Sequence, residues 1–153
     1  MIKQIMQDRY KFRGKRIDNN KWYYGSYLYL HNPPKYDWKG TRHESKEDAH
    51  FIIDEKDINY RVYEETVGQC TGIKDKNGKL IYEGDIIKIE YYDYGTKYRI
   101  GVVEWEDDGF CVTYHNAKDT KVSGCSLVDI VNGDKQEVIG NIHDNPELLK
   151  RSK

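Results

Sequence analysis

The stretch of sequence that decides the fold is residues 71–87, Thr71-Gly72-Ile73-Lys74-Asp75-Lys76-Asn77-Gly78-Lys79-Leu80-Ile81-Tyr82-Glu83-Gly84-Asp85-Ile86-Ile87. Asn77-Gly78 lies between two short runs of strand-forming residues, and this dipeptide is a strong signal for a β-hairpin. A second turn at residues 83–85 precedes another strand candidate at residues 86–92. The stretch therefore predicts successive antiparallel strands joined by tight turns.

The same pattern continues toward the C-terminus. Its further strand candidates are residues 98–105, 110–114, 126–131 and 136–142. Strands that recur about every 8–12 residues, with turn residues between them, predict a β-sandwich or a small barrel. After them, residues 144–150 predict a short helix, because Asn145 can cap it and Pro146 suits its first position.

Residues 9–30 predict a separate β-hairpin near the N-terminus. Its turn is residues 18–21 (Asp-Asn-Asn-Lys), since Asp and Asn tolerate the left-handed conformation. Gly25 marks a bulge or a close backbone approach in the second strand. Residues 31–50 are polar and contain Pro33-Pro34, which predicts a long surface loop. Two more strand candidates follow, at residues 51–53 and 59–67.

The composition supports a β-rich protein. The 153 residues include 14 Tyr, 3 Trp and 3 Phe, which excludes a disordered chain although only 37% of residues are hydrophobic and 33% are charged. Ile and Val total 15 and 9, against 6 Leu and 2 Ala, and this balance favours strands over helices. A helical bundle and a coiled coil are therefore excluded. The chain also has no apolar run long enough to span a membrane.

Charge and cysteine content add expectations about location. The net charge is −1, but residues 1–42 hold 10 Lys and Arg against 3 Asp and Glu, and the remainder holds 15 against 23. Such asymmetry suits a binding patch, or surfaces of opposite charge that meet within one copy or between copies of the chain. The three cysteines are odd in number and far apart, which favours buried thiols in a reducing compartment. The first eight residues are too polar for a signal peptide. We therefore expect a cytoplasmic protein.

Several stretches together resemble the YopX family, small proteins encoded by phages and prophages of low-GC bacteria. The matching stretches run from Lys11-Phe12-Arg13 to Trp22-Tyr23-Tyr24-Gly25, and then cover residues 65–69, 71–87 and 137–149. The match is weakest over residues 31–60. The resemblance implies an all-β fold with a β-rich part at residues 1–67 and an SH3-like barrel with a C-terminal helix at residues 68–153. It implies no catalytic residue.

The sequence offers little support for metal or nucleophile chemistry. No pair among the five histidines has a metal-ligand spacing, so we expect surface histidines, no metal and no cofactor. No nucleophile motif or phosphate-binding loop is present. One acidic cluster suits either a Mg²⁺-dependent nuclease or the tip of a hairpin. Its members are Glu104, Glu106, Asp107 and Asp108.

The clearest functional signal is a basic and aromatic cluster on the N-terminal hairpin. Cations that meet phosphate beside aromatic rings that stack on bases are typical of proteins that bind single strands. The candidate nucleic-acid-binding residues are Lys11, Arg13, Lys15, Arg16, Trp22 and Tyr24. In a strand, Lys11, Arg13 and Lys15 share one face. The same pattern also suits the solvated side of an amphipathic strand whose aromatic residues fill the core.

These observations predict an accessory protein that is not an enzyme and that acts by binding nucleic acid or by assembling. The abundance of Tyr and Trp favours self-association into a homo-oligomer. An alternative is a protein-interaction module directed at a host or phage protein. A metal-dependent nuclease is the least favoured reading, and no membrane partner is expected.

Overall fold

The computed structural model describes residues 7–36, 39–92, 96–107, 109–115, 121–126 and 136–151. Within these ranges the chain is mainly β, as predicted. Its strands are β1 (Phe12–Lys15), β2 (Trp22–Leu30), β3 (Lys35–Tyr36), β4 (Arg42–His43), β5 (Ala49–Ile53), β6 (Asn59–Val62), β7 (Gly68–Lys74), β8 (Leu80–Tyr82), β9 (Asp85–Tyr92), β10 (Thr96–Glu106), β11 (Gly109–His115), β12 (Lys121–Ser126) and β13 (Gln136–Asn141).

The chain forms two compact units. The N-terminal unit is Tyr10–Gln69, and the C-terminal unit is formed from Cys70 onward together with the described residues before Tyr10. The division at residues 67 and 68, expected from the sequence, stays a prediction about domains.

The N-terminal unit is an antiparallel sheet in the order β6-β5-β2-β1, and the first two residues of β7 pair with β1. The predicted hairpin is confirmed, because Lys15 pairs with Trp22 and Asn20 has a positive φ of 56° in the turn. Gly25 is required by a close approach, since a Cβ there would lie 1.8 Å from the carbonyl oxygen of Ile53 on β5. This contact explains why a side chain is absent at that position.

The predicted loop at residues 31–50 contains two short strands, β3 and β4, which pair at Lys35 and His43. The strand candidate at residues 51–53 is confirmed within β5, whereas the candidate at residues 59–67 is a strand only as far as Val62, because a 3₁₀ turn, Glu64–Thr66, follows it. The Asp54 carboxylate shapes their turn by accepting hydrogen bonds from the backbone amides of Lys56 (2.9 Å) and Ile58 (3.0 Å). This is the local backbone bonding that makes Asp favourable in turns.

The C-terminal unit is built on a five-stranded antiparallel sheet in the order β12-β11-β10-β9-β13. Its core lies around five buried side chains, Ile81, Ile87, Val103, Phe110 and Val112. The Asn77-Gly78 hairpin between β7 and β8 is confirmed, and Gly78 has the positive φ of 81° that the turn requires.

Two finer expectations for this unit are corrected. The closed SH3-like barrel is not confirmed, because β12 and β13 are the outer strands of the sheet and are not paired with each other in the described ranges. A barrel requires its first and last strands to pair with a consistent stagger. In place of the predicted C-terminal helix, the structure has a six-residue 3₁₀ helix, Pro146–Arg151. The Leu148 amide donates to the Asn145 carbonyl (3.1 Å), a bond across three residues that forms a 3₁₀ rather than an α-helical turn.

Candidate functional site

The predicted binding residues are divided between the two faces of the N-terminal sheet. Arg13 pairs with Tyr24 and Lys15 with Trp22 across β1 and β2, so these four side chains share one face. Lys11 is exposed and immediately precedes β1. Four of the six candidates therefore come together on one face, with Lys11 at its border.

Arg13 and Lys15 both interact with the ring of Trp22. The guanidinium carbon of Arg13 lies 4.7 Å from the ring centroid, and the Lys15 ammonium nitrogen lies 5.6 Å from it. These are cation–π distances. Arg13 is only 5% exposed, so its contribution is to hold Trp22 in place. Lys15 and Trp22 are half-buried and Tyr24 is 50% exposed, so they are the members of this group that can reach a ligand.

The structure places Arg16 on the opposite face. Its guanidinium carbon lies 5.7 Å from the ring centroid of Tyr23 and 5.2 Å from that of Tyr60, and a nitrogen of the group contacts Asp18 at 2.6 Å. Hydrogen bonds from Asn19 and Arg16 lower the pKa of Tyr23. Arg16 therefore stabilises the hairpin turn and the Tyr23–Tyr60 pair rather than joining the other candidates.

The face that carries Trp22 and Tyr24 continues across two further strands. Leu28 pairs with Phe51 on β5, and Phe51 pairs with Arg61 on β6. We call this surface the aromatic–basic face. Its strand positions are Arg13, Lys15, Trp22, Tyr24, Ser26, Leu28, Leu30, Ala49, Phe51, Ile53, Asn59 and Arg61. These positions include three cations and no carboxylate.

Phe51 and Arg61 were missed by sequence reasoning. Their alternation within β5 and β6 is a local signal, but the sequence does not say that these strands lie beside the hairpin. The register between β2 and β5 joins residues 19 to 27 positions apart, from Leu30 and Ala49 at its near end to Ser26 and Ile53 at its far end. Only that pairing brings Phe51 and Arg61 onto the face of Tyr24.

The opposite face holds a polar group centred on His50. The Tyr27 hydroxyl lies 2.6 Å from Nδ1 of His50, and a Glu64 carboxylate oxygen lies 3.5 Å from its Nε2. The expectation that the histidines lie on the surface is wrong for His50, which is buried because Tyr29 and Val62 pair with it on either side. Burial, together with the charge of Glu64, raises the pKa of Tyr27. The phenolate is thus disfavoured, and the arrangement suits packing rather than nucleophilic attack.

Comparison with known proteins identifies the family. A family model described as YopX protein matches residues 11–150. The chain belongs to the YopX family. Among solved structures, the chain is similar to the crystal structure of protein EF1440 from Enterococcus faecalis. The two are 24% identical, the match covers 91% of this chain and 96% of that one, and the TM-score is 0.47. No curated protein matches this chain.

In this YopX family member the described members of the acidic cluster lie at the end of β10, which holds Glu104 and Glu106, and in the turn that follows it. β10 ends at Glu106 and β11 begins at Gly109, so the turn prediction is confirmed for Asp107, whereas Asp108 lies outside the described residues. Across the part of the chain that the structure describes, no group of three or more His, Cys, Asp or Glu side chains is arranged to hold a metal ion.

The cysteine prediction is confirmed for two of the three residues. Cys70 and Cys111 are buried and neither forms a disulfide. Cys125 lies in β12, outside the residues whose side chains the structure describes. In the described ranges, no helix has both the length and the apolar character needed to cross a membrane.

Proposed function

We propose that this YopX family member is a phage or prophage accessory protein of the bacterial cytoplasm that binds nucleic acid through the aromatic–basic face and catalyses no reaction. The observation that carries the proposal is the composition of that face. Half-buried and exposed aromatic rings stand among cations, with no carboxylate at its strand positions. Such cations can contact phosphate groups, and unpaired bases can stack on such rings.

The chemistry of the residues shared with the family supports a role in binding. In the stretch that resembles the family most closely, two of the three acidic side chains bond to backbone. Asp75 accepts hydrogen bonds from three backbone amides, and Asp85 accepts one from Tyr82 at 2.8 Å. These carboxylates stabilise turns, which is a structural role. We therefore look for the binding site on the surfaces of the sheets.

The test is a fluorescence-anisotropy titration of labelled oligonucleotides with the whole chain at low salt, where phosphate contacts are strongest. We expect binding that Tyr24→Ala weakens by about 1–3 kcal/mol, the usual cost of losing one aromatic platform. Tyr24→Phe keeps the ring and should bind like the unaltered protein. Tyr36→Ala is the matched control, because Tyr36 is also an exposed tyrosine (64%, against 50% for Tyr24) but lies on β3, away from the strands of the face.

The cation contribution is read from the salt dependence. Lys15→Gln should reduce the slope of log affinity against log salt by about 0.7 if Lys15 meets one phosphate of a single strand. Arg13→Glu is unsuitable for this purpose, because it would place a carboxylate in a buried position against Trp22. No binding to any oligonucleotide at low salt would overturn the proposal.

A second candidate is assembly or a protein partner, as a homo-oligomer or as a module that contacts a host or phage protein. It is favoured by exposed aromatic side chains in the C-terminal unit, since Tyr98 is 57% exposed and Trp105 is 51% exposed. Light scattering measures the assembly directly. A stoichiometric protein partner that is recovered from infected cells after nuclease treatment would favour the interaction module.

A further inference from the structure

We infer that the aromatic–basic face binds single-stranded rather than duplex nucleic acid, along a path past Trp22 and Phe51 with Lys15 and Arg61 as its cations. This inference rests on the proposed function and makes it specific. It adds two contact residues, Phe51 and Arg61, that lie on strands outside the basic hairpin.

A hairpin that stood alone could read a duplex from its major groove, since a two-stranded ribbon fits that groove, which is about 12 Å wide. Here the hairpin is not a separate ribbon, because β2 is also paired with β5 and β1 with the start of β7. The chain just after β1 also pairs with β6, since Arg16 is opposite Val62 and the Ile17 amide donates to the Arg61 carbonyl (3.1 Å). The hairpin thus has neighbouring strands on both sides and cannot enter the groove as a ribbon.

Two aromatic rings stand side by side on the face. Trp22 and Tyr24 are two residues apart on one strand and therefore about 7 Å apart on one face. In a duplex the faces of the bases are covered by their neighbours, whereas the bases of a single strand can be splayed and laid on such rings. These rings can therefore make stacking contacts with a single strand that a stacked duplex does not offer.

The cations on the face come together where the end of β1 meets β6. The Ile17 amide, two residues after Lys15, donates to the Arg61 carbonyl at 3.1 Å, so Lys15 and Arg61 lie on neighbouring segments. The carboxylate near Arg61 is Glu47, whose pKa is lowered chiefly by its hydrogen bond to Lys35 and also by the Arg61 charge. Glu47 forms an ion pair with Lys35 at 2.8 Å, so the Lys35 charge balances it. Two cations thus provide positive charge for a phosphate backbone beside the aromatic rings of the face.

The length of the path predicts the size of the site. Trp22 and Leu28 are six residues apart on β2, which corresponds to about 20 Å. At about 3.4 Å per nucleotide for a stacked strand this distance corresponds to about 6 nucleotides, and to fewer when the strand is extended. We therefore expect a site near the lower end of the range of about 4–16 nucleotides for a small β domain.

The experiment compares a labelled 12-nucleotide oligothymidylate, oligouridylate of the same length and a duplex of the same length in anisotropy titrations at low salt. We expect both single strands to bind at least about tenfold more tightly than the duplex, since stacking on one ring alone is worth about 5- to 150-fold. Shortened oligothymidylates should lose affinity only below about 6 nucleotides. A preference for one sugar would identify DNA or RNA as the natural source.

Arg61→Gln tests the extension of the path. It should weaken single-strand binding and reduce the salt slope by about 0.7, whereas Arg42→Gln, which removes an exposed cation on β4, should leave the slope unchanged. Unchanged thermal melting of both variants shows that the fold is intact. Equal affinity for duplex and single strands, or equal effects of the two variants, would overturn this inference alone. Absence of all binding would overturn the proposed function with it.

Discussion

Replacing Asp75 with Asn tests the turn on which the fold-deciding stretch depends. One carboxylate oxygen of Asp75 accepts hydrogen bonds from the backbone amides of Asn77 (2.8 Å) and Lys79 (2.9 Å), and the other accepts from Val138 on β13 (3.1 Å). The side chain therefore connects the hairpin turn to a strand more than sixty residues later. Asn can keep the two turn bonds through its carbonyl oxygen, but its amide group then faces the Val138 N–H.

The expected cost follows from that geometry. The Asn77 and Lys79 amides keep a hydrogen bond to the Asn carbonyl, and they belong to exposed residues, so water can compensate for the loss of the charged acceptor. The Val138 amide loses a bond to a charged acceptor, which is worth about 1.5–3 kcal/mol. We expect Asp75→Asn to lower the free energy of unfolding by that amount at neutral pH, measured by urea denaturation followed by circular dichroism.

The pH dependence has a definite sign. Burial by itself would raise the pKa of Asp75, but the hydrogen bonds from Val138, Lys79 and Asn77 outweigh it and hold the pKa below its usual value. A depressed pKa in the folded state stabilises the protein above the unfolded value of about 3.9, and this stabilisation is lost as the pH falls through the folded value. The difference between the unaltered protein and Asp75→Asn should therefore begin to narrow below about pH 4.

The matched control is Asp57→Asn, which makes the same change in an exposed turn residue. Asp57 has a positive φ of 57°, a conformation that Asn also tolerates, so its effect should stay within about 0.5 kcal/mol. The reasoning is refuted if Asp75→Asn costs no more than this control at neutral pH. A cost that does not change on acidification would equally contradict it, because the charge would then be irrelevant.

Three further substitutions test the N-terminal unit. Gly25→Ala should lower the free energy of unfolding by more than about 4 kcal/mol and the melting temperature sharply, because its Cβ would collide with the Ile53 carbonyl oxygen. An unchanged melting temperature would contradict the close approach. Asn20→Ala should lower the free energy of unfolding by about 1 kcal/mol in guanidinium denaturation, because Asn20 has a φ of 56°, which Ala adopts only with strain. Asn20→Gly should have little effect, and equal effects of the two substitutions would count against strain in the turn. Tyr27→Phe should lower the free energy of unfolding in urea by about 1–2 kcal/mol, because it removes the 2.6 Å hydrogen bond to buried His50. An unchanged free energy of unfolding would mean that this bond does not stabilise the fold.

The local features of the fold could be predicted because neighbouring residues specify them. Asn77-Gly78 and the turn at residues 18–21 determine hairpins through the backbone conformations that Asn and Gly accept. Alternation of side chains within a strand indicated that Lys15 and Arg13 share a face. The error at the C-terminus concerns the type of helix, because Asn145 and Pro146 suit the first turn of an α-helix and the i→i+3 bonding of a 3₁₀ helix equally well.

The candidate site could be predicted only in part. Basic and aromatic residues drew attention to the hairpin, and four of the six candidates do share a face. The burial of Arg13 and the contact of Arg16 with Tyr60 depend on strands that the sequence does not align with the hairpin. The same holds for His50, whose burial results from its neighbours on β2 and β6.

By itself the sequence determined that this is a β-rich protein of the YopX family, where its tight turns lie, and which hairpin concentrates cations and aromatic rings. Only the tertiary structure decided which strands are neighbours, that the C-terminal sheet has β12 and β13 as its outer strands, and that Phe51 and Arg61 extend the aromatic–basic face. The physical reason is that turn conformation depends on a few consecutive residues. Strand pairing and burial instead depend on hydrogen bonds and packing between segments far apart in the chain, whose register no local pattern specifies.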